Sequence, residues 1–324
     1  MLMIDRARAA LALSAAAILL FGAQAHAQDA KYPAKKVDFI VAFAAGGFAD
    51  TLARFVAQKL NEKWGQPVII ENRGGAGGNT AARAVRGMEP DGYTVLVTTT
   101  AIAINPTMYK KLDFTVDQLA TVAIPAASPE TIAAHPSKGA GGLKGFLAAN
   151  KDREVTFASA GVGSGSHLAA EYFFKVHAKA KALHVPFRGG APAIQAVLGD
   201  QIDLIASSFG VTSQVVDGKL TGLAVASPQR NPAMPAVPTY KESGFDFEAE
   251  SWVGFFVPAK TDPKIVEQLN AAINEVVSDG AARDYLTKVG FRVAPRNAKE
   301  SQAYMTSEVA KWGEMVRTVG VYVD

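Results

Sequence analysis

The stretch Val37-Asp38-Phe39-Ile40-Val41-Ala42-Phe43-Ala44-Ala45-Gly46-Gly47-Phe48-Ala49-Asp50-Thr51-Leu52-Ala53-Arg54-Phe55-Val56-Ala57-Gln58-Lys59-Leu60 carries the reading of the fold. Its opening, Val37 to Phe43, reads as a short buried strand, apolar but for Asp38, and Leu52, Phe55, Val56 and Leu60 recur at helical spacing after a small-residue turn. This is a strand, a turn and a helix. The pattern repeats outward: Pro67 to Glu71 predicts a strand, Gly74 to Gly78 a loop, Asn79 to Arg86 a helix and Tyr93 to Thr98 a strand. Strands alternating with helices imply an α/β fold with a mainly parallel sheet, whose ligands bind beyond the carboxyl ends of the strands.

A second set follows. Strands are expected at Val155 to Ala158, His184 to Phe187, Ile202 to Ala206 and Leu223 to Ala226, with helices from about Ser166 to Val176 and from Ala191 to Leu198. Trp252 to Val257 then reads as an apolar strand and Pro263 to Val277 as a long helix returning to the first set. Residues 28–124 are therefore assigned to lobe I, 125–249 to lobe II and 250–324 to the segment completing lobe I, with crossings near Val122 to Ala126 and Phe247 to Ser251.

Residues 1–27 read as a signal peptide. Arg6 and Arg8 precede an apolar run from Leu11 to Phe21 and a small-residue end, Ala25-His26-Ala27, after which cleavage is expected. That run is shorter than a membrane span. The chain has no cysteine, which removes disulfides and a lipid-anchored start and leaves stability in an exported protein to its core. With 33 basic and 30 acidic residues and no long run of either, charge indicates neither nucleic acid nor a membrane surface as partner.

Two turns carry the candidate chemistry. In the first, Phe43, Ala45, Gly46, Gly47, Phe48 and Asp50 lie between a strand and a helix, where backbone N–H groups and the helix N-terminus favour an anion. The two glycines also serve simply to permit the turn, and Asp50 to complement the helix dipole. The second, with Ser159, Ala160, Gly163, Ser164, Ser166 and His167, adds three hydroxyls. Its glycine spacing departs from the dinucleotide pattern at Ser166, and the next strand ends in Phe187-Arg188 rather than an acid. No cofactor is expected. No nucleophile elbow surrounds Ser164 or Ser166, and His167 with Glu171 is one ligand short of a zinc site. Arg188 ends a strand where its guanidinium can reach a carboxylate or stand in solvent. Thr98, Thr99, Thr100 and Ala101 end a first-lobe strand in the same way.

Across nearly all of its expected mature length the chain resembles the Bug family, the extracytoplasmic receptors of tripartite tricarboxylate transporters. The resemblance rests on Tyr32-Pro33, Gly46-Gly47 with Asp50, Gly65-Gln66-Pro67-Val68, Glu71-Asn72-Arg73-Gly74-Gly75-Ala76-Gly77-Gly78-Asn79, Asp91-Gly92-Tyr93-Thr94, Ile104-Asn105-Pro106, Ala158-Ser159-Ala160-Gly161 with Ser166-His167-Leu168-Ala169, Val185-Pro186-Phe187-Arg188-Gly189 and Ala310-Lys311-Trp312. It implies a two-lobed, type II periplasmic-binding-protein-like fold. It also implies a non-enzymatic monomer that closes by hinge motion on a di-, tri- or aromatic carboxylate and delivers it to integral membrane transporter subunits. Some members signal instead, and a periplasmic serine hydrolase is the rival reading. By position, Phe43 to Asp50 and Thr98 to Ile102 resemble the first-lobe binding loops, and Ser159 to His167 the second-lobe one. The chain departs from common family residues at Ala44-Ala45, Phe48, Thr100-Ala101-Ile102 and Ser207-Ser208. Without an Asp at position 207 to balance an ammonium, and with Phe48, Ala101 and Ile102 on the rim, the expected ligand is an acid with an apolar body and no free ammonium.

Overall fold

The opening run forms strand β1 (Val37–Val41), followed by helix α1 (Phe48–Trp64). Both faces of β1 are covered apart from half-buried Asp38: Val37, Phe39, Ile40 and Val41 are all buried. Helix α1 buries Leu52, Ala53, Val56 and Leu60 against the sheet and stops at Gly65, whose left-handed φ of 64° lets its N–H return to the carbonyl of Asn61. The computed structural model describes residues 32–324, so the signal-peptide reading of 1–27 lies outside the described residues. The Tyr32–Pro33 bond is cis.

Next come β2 (Val68–Asn72), α2 (Asn79–Arg86), β3 (Thr94–Thr99), α3 (Ala101–Met108) and β4 (Leu119–Pro129). The second set comprises β5 (Thr131–Ala134), α4 (Gly142–Ala149), β6 (Val155–Ser159), α5 (Gly165–Tyr172), β7 (Ala182–Pro186), α6 (Gly190–Leu198), β8 (Leu204–Ser207), α7 (Val211–Val216) and β9 (Thr221–Val225). The chain ends with β10 (Glu250–Pro258), α8 (Pro263–Ser278), α9 (Gly280–Lys288), β11 (Arg292–Val293) and α10 (Ala298–Val319). One sheet has the order β11-β4-β10-β3-β1-β2 and the other β7-β6-β8-β5-β9. Parallel pairing joins β1 to β2 and β3, and β6 to β7 and β8. The strands that enter or leave by the inter-sheet connections, β4, β5, β9 and β10, pair antiparallel.

Strand β4 contains Pro125, which has no N–H to give a ladder. The register shifts there: Val253 pairs with Ala126 while Phe255 pairs with Ala123, so Ile124 and Pro125 share one opposing residue. The single residue Glu130 carries the chain from β4 into β5. Its N–H donates to Ala249 O (2.9 Å) and its carbonyl accepts from Ala226 N (2.7 Å), which ties the outgoing connection to the returning one. Helix α10 starts with a capping box between Asn297 and Glu300 and anchors on the first sheet through buried Glu308. One oxygen of that carboxylate accepts from the indole N–H of Trp252 (2.9 Å) and of Trp312 (2.7 Å).

Candidate functional site

The β1–α1 turn is held by Asp50. Its buried carboxylate accepts from Gly46 N (2.8 Å), Arg54 Nε (2.8 Å) and Asn72 Nδ2 (2.8 Å), while Asn72 also donates to Phe43 O (3.0 Å). Burial raises the Asp50 pKa, but the bonds from Arg54, Gly46 and Asn72 outweigh it and hold the carboxyl below its usual range. Asp50 is thus spent on shaping the turn, which leaves Ala45 and Gly46 exposed and Phe43, Gly47 and Phe48 half-buried. The glycine loop underneath is tight, since a Cβ at Gly78 would stand 3.4 Å from Ala42 and the Phe43 ring.

Thr98 is buried in β3, and Thr99 Oγ1 accepts weakly from Ala101 N (3.4 Å). Thr100 turns inward: its Oγ1 accepts from Trp252 N at 2.8 Å, and Ala101 and Ile102 are buried behind it. Of the three residues expected to make the rim apolar, only Phe48 keeps exposed surface. Its ring stacks on Phe291 (4.9 Å, 12°) and meets Phe209, beyond β8 of the other sheet, at 5.6 Å.

In the second turn the hydroxyls are mostly engaged. Ser164 caps α5, accepting from His167 N (3.2 Å) and donating to Gly161 O (2.7 Å). Ser159, fully buried, pairs with His184 Nε2 (2.7 Å) and accepts from Gly161 N (3.1 Å). His167 stacks on His184 at 3.9 Å and accepts from Gly163 N (3.4 Å). Burial, then the charge of His184, pushes His167 down to about 3, and burial pushes His184 down to about 4, so both rings are neutral near pH 7. The hydrolase reading needs the hydroxyl of Ser164 or Ser166 on the imidazole ring of His167, and neither of those bonds is present among the described residues, Ser164 meeting only the backbone N–H of His167. Ala160 O accepts from Gly189 N (3.1 Å), lacing this loop to exposed Arg188, which has no ion pair among the described residues. Ser207 Oγ donates to Phe209 O (2.7 Å), and Ser208 O accepts from Ser128 Oγ of the first sheet.

The second turn faces the glycine loop and helix α3 across a seam. A Cβ at Gly163 would stand 2.8 Å from Asn105 Oδ1 and 3.6 Å from Tyr109, and one at Gly77 would stand 3.4 Å from Val162 O. Asn105 Nδ2 donates to Gly77 O (2.9 Å) and Asn79 Oδ1 (2.7 Å), leaving Asn105 Oδ1 and Asn79 Nδ2 buried without partners among the described residues. At the seam's inner end, Glu130 Oε1 accepts from Ser251 Oγ (2.5 Å) beside Gly165. Sequence reasoning did not select Asn79, Asn105, Glu130, Phe209 or Phe291. Glu130 has a visible signal, as the lone charged residue in the stretch from Ala126 to Ala134. The described residues hold no group of three or more His, Cys, Asp or Glu that could bind a metal.

Comparison with known proteins places this geometry. Residues 52–321 match the family model of the tripartite tricarboxylate transporter family receptor. The chain is 31% identical over 296 residues to Protein BugT of Bordetella pertussis, covering 89% of this chain and 90% of that one. It superposes on the periplasmic binding protein BugD with a TM-score of 0.83 at 30% identity, covering 90% and 99% of the two chains. For MatC from Rhodopseudomonas palustris with bound malate the values are 0.80 and 30%, with 88% and 100% covered. The chain belongs to the receptor family of the tripartite tricarboxylate transporters.

Proposed function

We propose that this protein is a periplasmic receptor that captures a small carboxylate between two lobes and presents it to an integral membrane transporter. Lobe I would comprise residues 28–124 and 250–324, and lobe II residues 125–249. The observation that carries the reading is a seam on which the Ser159 to Ser166 turn meets the glycine loop that packs beneath the Phe43 to Phe48 turn, each turn leading a helix whose N-terminus favours negative charge. Malate bound to the related MatC is in keeping with it. Exposed Arg188 and the backbone N–H groups of the first turn other than those of Gly46 and Gly47, which bond to Asp50 and Ala44, are the donors offered to the ligand. Asp50, Thr100 and Ser164 act one step back by fixing the turns. Closure follows from linkage: a ligand that touches both lobes adds free energy to the closed form alone.

A thermal-shift screen of carboxylic acids against neutral sugars tests this. A ligand at about 100 times its dissociation constant stabilises the fold by about 2.7 kcal/mol. A shift with sugars and none with any acid contradicts the proposal.

A further inference from the structure

Glu130 is a buried acid at the junction of the two sheets. It is 4% exposed, joins β4 directly to β5, and is packed against Ser251 of β10 and against Gly165 and Ser166 in the first turn of α5. Buried Tyr240 is close enough to feel its charge. No Lys, Arg or His forms an ion pair with it among the described residues. An isolated carboxylate in such a place is unfavourable, so the group takes up a proton instead. Burial accordingly pushes its pKa up to about 7, against the pull of the Ser251 and Ser166 hydroxyls.

A neutral carboxylic acid has one O–H donor. With Ser251 donating to Oε1 the proton falls to Oε2, which makes no hydrogen bond of good geometry among the described residues, although the Ser166 hydroxyl lies near the carboxyl. A buried donor without an acceptor, set against the turn that begins α5, is matched by an oxygen arriving in the seam.

We propose that Glu130 is a ligand-binding residue, whose protonated carboxyl donates a hydrogen bond from Oε2 to a carboxylate oxygen of the ligand. This rests on the carboxylate-receptor reading above and adds a proton to it. Two neighbouring carboxylates cannot both stay ionised at little cost, so the anion binds the protonated form. Above the pKa of Glu130, binding must therefore take up a proton.

The test is isothermal titration of adipate and malate between pH 6 and 9, where both acids remain ionised, in wild type and Glu130→Gln. Wild-type affinity should be level up to about pH 7, then fall about tenfold by pH 8 and about a hundredfold by pH 9. Repeating the pH 8 titration in buffers of different ionisation enthalpy should register proton uptake. Glu130→Gln, which keeps an N–H donor, should bind with little dependence on pH. Level wild-type affinity to pH 9 overturns the assignment and leaves the receptor reading standing. Affinity that rises with pH also overturns it. Absence of binding by either acid at every pH, with no shift in the wider acid screen, removes the carboxylate reading and this assignment together. The wild-type profile and proton count need no variant, so a misfolded Glu130→Gln does not rescue a failed result.

Discussion

Gly163→Ala isolates lobe closure from stability. Gly163 has φ of +81°, and a Cβ there would meet Asn105 Oδ1 at 2.8 Å, Met108 Sδ at 3.6 Å and Tyr109 Cε2 at 3.6 Å, all on the opposite side of the seam. The left-handed backbone disfavours a Cβ by about 1–2 kcal/mol in any state of the protein. The contact with Asn105 exists only when the seam is shut, and Asn105 cannot retreat without giving up its bonds to Gly77 and Asn79. Forced overpacking of this kind typically costs about 1–3 kcal/mol, which weakens binding roughly 5- to 150-fold. Gly218→Ala is the control, since Gly218 has φ of +70° and nothing within 4 Å of an added Cβ. Both variants should lose similar stability in ligand-free urea unfolding, and only Gly163→Ala should lose affinity by calorimetry. Equal affinities for the two would refute the idea that this contact belongs to the closed form.

Other substitutions test other parts of the account. Phe209→Ala removes the ring that meets Phe48 at 5.6 Å and Phe291 at 5.3 Å; with such pairs contributing about 0.5–1.5 kcal/mol each, affinity should fall roughly tenfold, and unchanged binding would show that the rings do not hold the lobes together. Glu308→Leu leaves the Trp252 and Trp312 N–H groups buried without an acceptor, which should cost about 2–5 kcal/mol in urea unfolding; a loss below about 1 kcal/mol would count against that anchor. Glu130 titrates near 4.5 when unfolded and about 7 when folded, so its contribution is whole below about pH 4.5 and is lost as pH rises to about 7, an effect of about 3 kcal/mol. His167 and His184, held neutral by burial, change stability in the opposite sense, so the quantity to read is the difference between wild type and Glu130→Gln at pH 5 and 8. Parallel stability curves for the two proteins would contradict the burial argument.

The parallel strands and their helices were legible because a strand buried on both faces is an apolar run and an amphipathic helix repeats every three or four residues. Strand β4 and helix α3 were not read, because Pro125, Pro129 and Pro106 break the pattern; the fold accepts Pro125 through a register shift. At the site, composition located both turns but did not say where each side chain points. Thr100, Ala101 and Ile102 look like rim residues in sequence, yet they begin a helix that buries them, and Ser164 uses its hydroxyl as a helix cap. Asn79, Asn105 and Glu130 matter through groups far along the chain, such as Gly77 and Gly163 for Asn105 and Ser251 for Glu130. Local spacing does not encode such contacts.

The most direct test of the central claim is a crystal structure of the protein with the acid that gives the largest thermal shift. The account predicts a carboxylate between the Phe43 to Phe48 turn and the Ser159 to Ser166 turn, with one of its oxygens within hydrogen-bonding distance of Glu130 Oε2; an acid bound outside that seam, touching only one lobe, would contradict it.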